Sequence, residues 1–268
     1  MSTATAKQPP VPADDPLTLP AVSVGADLKI LSWNIYMLPG IVPLKARLSR
    51  ARSIADTLVQ SDYDIVVFQE AFHAGAVRIL AARLRARYPF MYGPFNADGA
   101  SMRYSSGVWV LSRTPLRLLG TIEFGDARNF DRTARKGAAL LEGEHAGRTF
   151  QVLGTHLQAG DLPSVRAHQF QELYTDLLTR YHRDGVPQII CGDMNTGPDE
   201  EAYCDMLHSL DAEDGAPEGA QRESYDGTTN RLAERVWRRA RTTLDYVLLR
   251  VNGTIVRSVR RTVSVMKR

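Results

Sequence analysis

Several apolar runs in this chain stop on a side chain that can bind a cation or move a proton. Glu70 closes the run DIVVFQ, where a carboxylate is costly unless it reaches a cleft or pairs with a cation. Mg2+ suits such a position, because it takes hard oxygen ligands and needs only one or two carboxylates when waters and phosphate oxygens complete its shell. Asn34, after LKILSW, offers an amide oxygen to that shell, or serves as an ordinary turn residue. In CGDMNTGP, Asp193 and Asn195 alternate, so both can face one side where a strand runs out. One would accept from water or a metal and the other donate to a phosphoryl oxygen, although Gly192, Gly197 and Pro198 also fit a plain turn. His156, after TFQVLGT, can aim an imidazole hydrogen bond, or a positive charge when protonated, at a phosphate; the alternative is a structural histidine. Asp245 opens DYVLL, placed either to orient a histidine or a water, or to hold a strand edge.

The other histidines have weaker claims. His168, His182 and His208 fall in or beside helical patterns, His145 lies in a hairpin turn, and His73 gains interest only by closely following Glu70. No three-histidine zinc pattern is present.

The elements that must carry these groups alternate strands with helices. Residues 28–33 read as a largely buried strand, and 44–60 set Leu44, Leu48, Ala51, Ala55 and Leu58 on one helical face. Residues 64–69 suit the centre of a covered sheet, and 75–87 form a second helix through Val77, Leu80, Ala81 and Leu84. After a loop at 89–105, short β-type runs cover 107–113, 137–143 and 149–155, the last pair a hairpin across 144–148. A helix over about 163–182, a buried strand at 186–192, a surface loop at 211–227 and a strand at 244–250 complete the pattern. Two packed sheets with helices on their outer faces satisfy it, since both apolar faces of each sheet need cover.

With 268 residues, 44% hydrophobic and 24% charged, the chain has the composition of a soluble globular domain, expected to be a monomer. No apolar window reaches the ~18 residues of a membrane span. Residues 1–27, proline-rich and without the basic start and apolar core of a secretory signal, read as a disordered leader ahead of a domain at 28–268, and point to the cytoplasm. Cys191 and Cys204 both read as buried thiols. The net charge of +3 favours anionic partners without choosing among them. Arg257, Arg260, Arg261, Lys267 and Arg268 make the end of the chain either a surface-binding tail or a solvated terminus.

Taken together, LSWNIYMLPG, VVFQEAF, SSGVWVLSR, GTHLQAG, IICGDMNTGP and LDYVLL resemble the endonuclease/exonuclease/phosphatase superfamily, most closely its bacterial and neutral sphingomyelinase branch. YDGTTNRLA at 225–233 also resembles that branch rather than the nucleases. The resemblance implies a four-layer α/β/β/α sandwich of two mainly antiparallel sheets, with Asn34 and Glu70 around an essential Mg2+. It implies that Asp193 positions water or metal, that Asn195 and His156 stabilise phosphoryl oxygens, and that Asp245 orients a general-base histidine. In DRTARKG, Asp131 and Lys136 would interact near the active site, or simply solvate a loop.

The implied reaction is hydrolysis of sphingomyelin to ceramide and phosphocholine at a membrane surface. Ile35, Tyr36, Met37, Leu38, Ile41, Val42 and Leu44 could form a lipid-facing mouth, with Met37 and Leu38 the sharpest candidates, or could pack beneath the first helix. The family's Asp-His pair has no counterpart here: no histidine follows His208, so the resemblance predicts weak or absent turnover in this chain, as if its final catalytic strand were missing. A nuclease or phosphoinositide phosphatase of the same superfamily is the rival enzyme, and a non-catalytic lipid- or protein-binding module the rival of another class. Nucleic acid is the less favoured partner, because Arg235, Trp237, Arg238, Arg239 and Arg241 form the one compact basic and aromatic group.

Overall fold

A computed structural model of the chain describes residues 27–42, 46–99, 101–215, 217–230, 232, 234, 240–256 and 258–263. The expected leader, Leu44, Arg235 to Arg239, Arg257, Lys267 and Arg268 lie outside them, apart from Asp27.

The first half of the chain runs β1 (Ile30–Met37), α1 (Arg47–Val59), β2 (Ile65–Ala71), α2 (Ala74–Leu84), β3 (Phe90–Tyr92) and β4 (Trp109–Ser112). Its four strands form one sheet in the order β1-β2-β4-β3, parallel between β1 and β2 and antiparallel elsewhere. The second half continues with β5 (Arg117–Glu123), β6 (Gly137–His145), β7 (Arg148–His156), α3 (Pro163–Glu172), β8 (Gln188–Asp193), α4 (Glu201–Leu210), β9 (Glu213–Asp214), β10 (Pro217–Glu218), β11 (Tyr225–Asp226), β12 (Arg241–Thr242), β13 (Asp245–Arg250) and β14 (Arg261–Thr262). Six of these strands form the second sheet, β5-β6-β7-β8-β13-β9. Only β7 and β8 run parallel in it.

Side-chain alternation sorts each strand between two cores. In β2, Val66 and Phe68 pack under α1 and α2 with Ile54, Leu58 and Leu80, while Ile65 and Val67 face the other sheet. In β6, β7 and β8, Leu140, Leu153 and Ile190 pack against the helices of the second half, while Leu141, Val152 and Cys191 meet Val67, Val108 and Val110 between the sheets. The result is the expected α/β/β/α sandwich. Each fully buried aliphatic side chain contributes about 1.5–3 kcal/mol, so both sheet faces must be covered for the fold to stand.

Several local expectations differ. β1 does not stop at Asn34 but bulges between Asn34 and Met37 and runs on to Met37. Leu48 is exposed, and Ile54 takes its place on the buried face of α1. The helix begun at Pro163 widens into π-type turns over Leu173–Thr179. β3, β5 and the short strands within 211–227 stand where loops were read or nothing was assigned. Cys191 is buried but Cys204, on the outer side of α4, is exposed. Met37 has no exposed surface and packs with α1 and α2, as does Ile35, so neither faces a membrane. Leu38 is half-buried, and Ile41 is the exposed residue of that segment.

Candidate active site

The inter-sheet faces of β7, β8 and β13 are apolar along their length and turn polar at one end. Phe150, Val152 and Gly154 lead by alternation to His156, and Ile189 and Cys191 lead to Asp193. Register aligns those ends: His156 pairs with Asp193 across β7 and β8, and Asp193 pairs with Asp245 across β8 and β13. Three candidate residues from three strands therefore stand in one row.

The first sheet meets that row through Asn34. Its Nδ2 donates to Glu70 Oε1 at 2.8 Å and to Asp193 Oδ2 at 2.9 Å, tying the two sheets together. Glu70 arrives by a departure from strand geometry. Continued alternation after Phe68 would send its side chain to the helix face, but Glu70 has φ 57. That left-handed kink and the bulge in β1 turn its carboxylate toward Asn34. Tyr36 (φ 49) and Asn195 (φ 50) share the left-handed conformation, which costs a non-glycine residue about 1 kcal/mol and concentrates at sites of function.

Lys136 supplies the central positive charge. Only 3% exposed, its Nζ donates to Asp131 Oδ2 at 2.8 Å, to the Leu157 carbonyl at 2.8 Å and to His156 Nε2 at 3.2 Å. Asp131 Oδ2 also accepts from the Ala159 backbone amide at 2.8 Å. An ammonium can only donate, so His156 Nε2 accepts and the ring proton sits on Nδ1, which is buried without a partner among the described residues. Burial, then the Lys136 charge, hold the imidazole well below its ordinary range. Of the two roles read for His156, this geometry favours the neutral hydrogen-bond donor, through Nδ1, and Lys136 brings the positive charge.

Asn195 donates from its backbone to Asp193 Oδ1 at 3.0 Å and from Nδ2 to the Leu157 carbonyl at 3.0 Å, which fixes the turn after β8. Asp245 is held by Ser224, whose hydroxyl accepts from the backbone amides of Leu244 and Asp245, each at 3.0 Å. Its Oδ1 is buried and unpartnered among the described residues. Burial pushes this carboxyl up to about 8, with Asp193 adding to the effect and Ser224 opposing it. Burial likewise lifts Asp193, and lifts Glu70 to about 7 against the Asn34 hydrogen bond and the Lys136 charge.

Two residues that the sequence did not single out complete the frame. Ser224 stands just ahead of the YDGTTN segment, a nearby signal. Arg166, 3% exposed, donates to the Gly160 carbonyl at 2.6 Å and lies 3.6 Å from Glu200, joining the loops that leave β7 and β8. It sits mid-helix with no pattern to mark it. A cleft of about 680 Å³ beside His208 and Arg250 opens at the opposite end of β8 and β13 and includes none of these residues.

The donor set fits a hard divalent cation. Glu70 Oε2 is buried with no partner among the described residues, and the neighbouring groups are carboxylate and amide oxygens. Among the described residues no group of three or more His, Cys, Asp and Glu is arranged to hold a metal ion, so a cation here would need waters and substrate oxygens to complete its shell. The Asn34 amide turns its NH2 toward the carboxylates, and a cation between them would favour its oxygen instead.

A four-layer sandwich with an oxygen-rich centre at the polar end of its inter-sheet seam is the architecture observed. The family described as Endonuclease/Exonuclease/phosphatase matches residues 31–266, and the chain belongs to it. Sphingomyelinase C 2 of Leptospira interrogans serovar Lai is 28% identical over 233 residues, 79% of this chain and 37% of that protein, so the chain spans little more than a third of that relative. Among solved structures, Sphingomyelinase C from Streptomyces griseocarneus has a TM-score of 0.80 at 27% identity, covering 88% of this chain and 87% of that one. A mutant beta toxin from Staphylococcus aureus with bound magnesium ions has a TM-score of 0.82 at 24% identity, covering 90% of each chain, and shows the shared fold.

Proposed function

We propose that this chain is a magnesium-dependent phosphodiesterase of the sphingomyelinase type, cleaving sphingomyelin to ceramide and phosphocholine. The observation that carries the reading is the single side chain of Asn34 bonded to both Glu70 and Asp193, beside the buried Lys136–His156 contact. The similarity to sphingomyelinases of Leptospira and Streptomyces supports the substrate class.

Asn34 and Glu70 would hold the cation, which when bound polarises a phosphoryl oxygen and offsets charge as it builds there. His156 Nδ1–H would donate to a phosphoryl oxygen, and the Lys136 ammonium, its three N–H groups engaged by Asp131, Leu157 and His156, would add its positive charge nearby. Asn195 sets the loop geometry around Asp193, and Asp193 orients the attacking water along the line opposite the leaving alkoxide. Burial of these groups excludes bulk water and strengthens each contact.

Water activation is the weak point. Asp245 Oδ1 has no partner among the described residues, and His156 stands two strands away with Nε2 engaged by Lys136. A positioned base is worth about 10²- to 10⁴-fold in rate, so this polypeptide should turn over slowly. A coupled choline-release assay, in which added alkaline phosphatase frees choline from the phosphocholine product, run with sphingomyelin, magnesium and Glu70→Gln, tests the proposal. Slow, magnesium-dependent release abolished by the substitution is expected. Cleavage of nucleic acid or phosphoinositides without choline release would overturn the substrate assignment, and turnover equal to that of the Streptomyces griseocarneus sphingomyelinase would overturn the forecast of slowness. The orphaned Asp245 oxygen also favours a second reading, a non-catalytic lipid-binding module, whose signature is magnesium-dependent vesicle binding with no product.

A further inference from the structure

The mouth of the site carries a basic and apolar rim apart from the catalytic groups. Arg103, Arg128 and Arg132 line one cleft of about 330 Å³ with Phe124, Gly125, Asp126 and Ala127. Three guanidinium groups there face the one carboxylate of Asp126, which pairs with Arg128 at 2.9 Å. Arg103 pairs with Glu123, and Arg132 makes no ion pair among the described residues. The cleft therefore keeps an excess of positive charge.

Two of the large apolar side chains left in solvent flank it. Met102, adjacent to Arg103, is fully exposed, and Phe130, between Arg128 and Arg132, is 52% exposed. Their segments are joined: Tyr104 donates from its backbone to the Thr133 carbonyl at 2.9 Å, and the Arg135 amide donates to the Tyr104 carbonyl at 2.9 Å. The same segments reach the site, because the Asp131 carboxylate bonds Lys136 and the Tyr104 ring meets the edge of Phe72, two residues after Glu70. Exposed Met and Phe gain nothing from water, and a soluble anion would leave them there; an acidic bilayer accepts both the apolar side chains and the guanidinium groups.

We infer that the rim formed by Met102, Arg103, Arg128, Phe130 and Arg132 docks the protein on an anionic lipid surface, holding the site over a substrate in the same leaflet. The inference rests on the phospholipid reading above. The rim replaces Met37 and Leu38 as the membrane contact: Met37 is enclosed in the core, whereas these residues are at the surface.

Vesicle flotation tests it without requiring turnover, with choline release read in parallel. Vesicles of phosphatidylcholine and sphingomyelin would be compared with and without phosphatidylglycerol, at low and high salt. Binding should be tighter on the acidic vesicles and weaken at high salt. About 1 kcal/mol per basic residue near such a surface is about fivefold in affinity, so Arg128→Glu with Arg132→Glu should lower binding to acidic vesicles at least 25-fold, roughly the product of two such factors. Phe130→Ser with Met102→Ser should weaken binding to both vesicle types. Arg180→Glu, at the opposite end of the molecule from His156, should leave binding unchanged, and unaltered melting curves establish that the variants fold. Equal binding to neutral and acidic vesicles, or binding untouched by the paired arginine reversals, overturns the docking surface. So does loss of single-stranded oligonucleotide binding in those variants while vesicle binding persists. Docking without choline release would instead count against the sphingomyelinase reading alone, and choline release without docking against the rim alone.

Discussion

Glu70, Asp193, Asp245 and a neutral His156 imidazole share the polar end of the inter-sheet space with the Lys136 ammonium, and burial dominates how the three carboxyl groups and the imidazole titrate. His156 is a base whose proton affinity falls on folding, so it stays neutral when folded and gains a charge on unfolding. Its contribution to stability is full above the ordinary imidazole value of 6.5 and is lost as pH falls below it. Urea unfolding of His156→Gln should therefore lose roughly 1–2 kcal/mol less than the parent chain between pH 7 and pH 5; parallel losses would show that the imidazole is not neutral. Glu70 works in the opposite sense. Its carboxyl rises from 4.5 to about 7, so a penalty enters as pH climbs through that interval. In metal-free buffer Glu70→Gln should melt a few degrees higher than the parent at pH 8, for a gain of about 1–3 kcal/mol, and at the same temperature at pH 5. A replacement that stabilises the fold while ending turnover is the mark of a residue kept for function. Equal melting temperatures at pH 8 would sink this account.

At the scale of elements, the centre depends on β7 and β8 lying in close register. Thr155 pairs with Gly192 one step before His156 pairs with Asp193. A Cβ on Gly192 would collide with the Thr155 carbonyl oxygen, so the two strands must part to admit it. Gly192→Ala should cost about 1–3 kcal/mol in urea unfolding and reduce choline release, as overpacking of a tight contact does. Gly40→Ala, where nothing lies within 4 Å, should leave both unchanged. An innocuous Gly192→Ala would mean that the strand register does not hold the row of His156, Asp193 and Asp245. The hairpin between β6 and β7 illustrates how local chemistry sets such a register: Ala146 (φ 48) and Gly147 (φ 73) form its two-residue turn, with both residues in the conformation that suits the twist of the strands.

For the whole molecule, a divalent cation between the sheets should act as a staple, since Asn34 and Glu70 come from the first sheet and Asp193 from the second. A ligand at about 100 times its dissociation constant stabilises the folded state by about 2.7 kcal/mol, which is several degrees for a domain of this size. Magnesium should raise the melting temperature of the parent chain by that amount and leave Glu70→Gln unmoved. A shift of the same size in both would place the ion elsewhere. No helix among the described residues is long and apolar enough to cross a membrane.

Periodicity along the chain was enough to read the two packed sheets and to place His156, Asp193 and Asp245 at strand ends. Runs such as TFQVLGTH and QIICGD alternate between two apolar faces and end on a polar residue, and that period of two follows from backbone geometry alone. Tertiary structure decided the rest. Alternation would have sent Glu70 to the helices, and a single left-handed residue brings it to Asn34. The apolar stretch of Ile35 and Met37 resembled a lipid-facing mouth until α1 and α2 covered it. His156 carries a titratable ring by identity but is neutral by burial against Lys136, a partner 20 residues away in sequence. Hydrophobic periodicity reports which face a residue takes within its own strand. The charge that the residue bears, and whether water reaches it, depend on what the other elements place against that face.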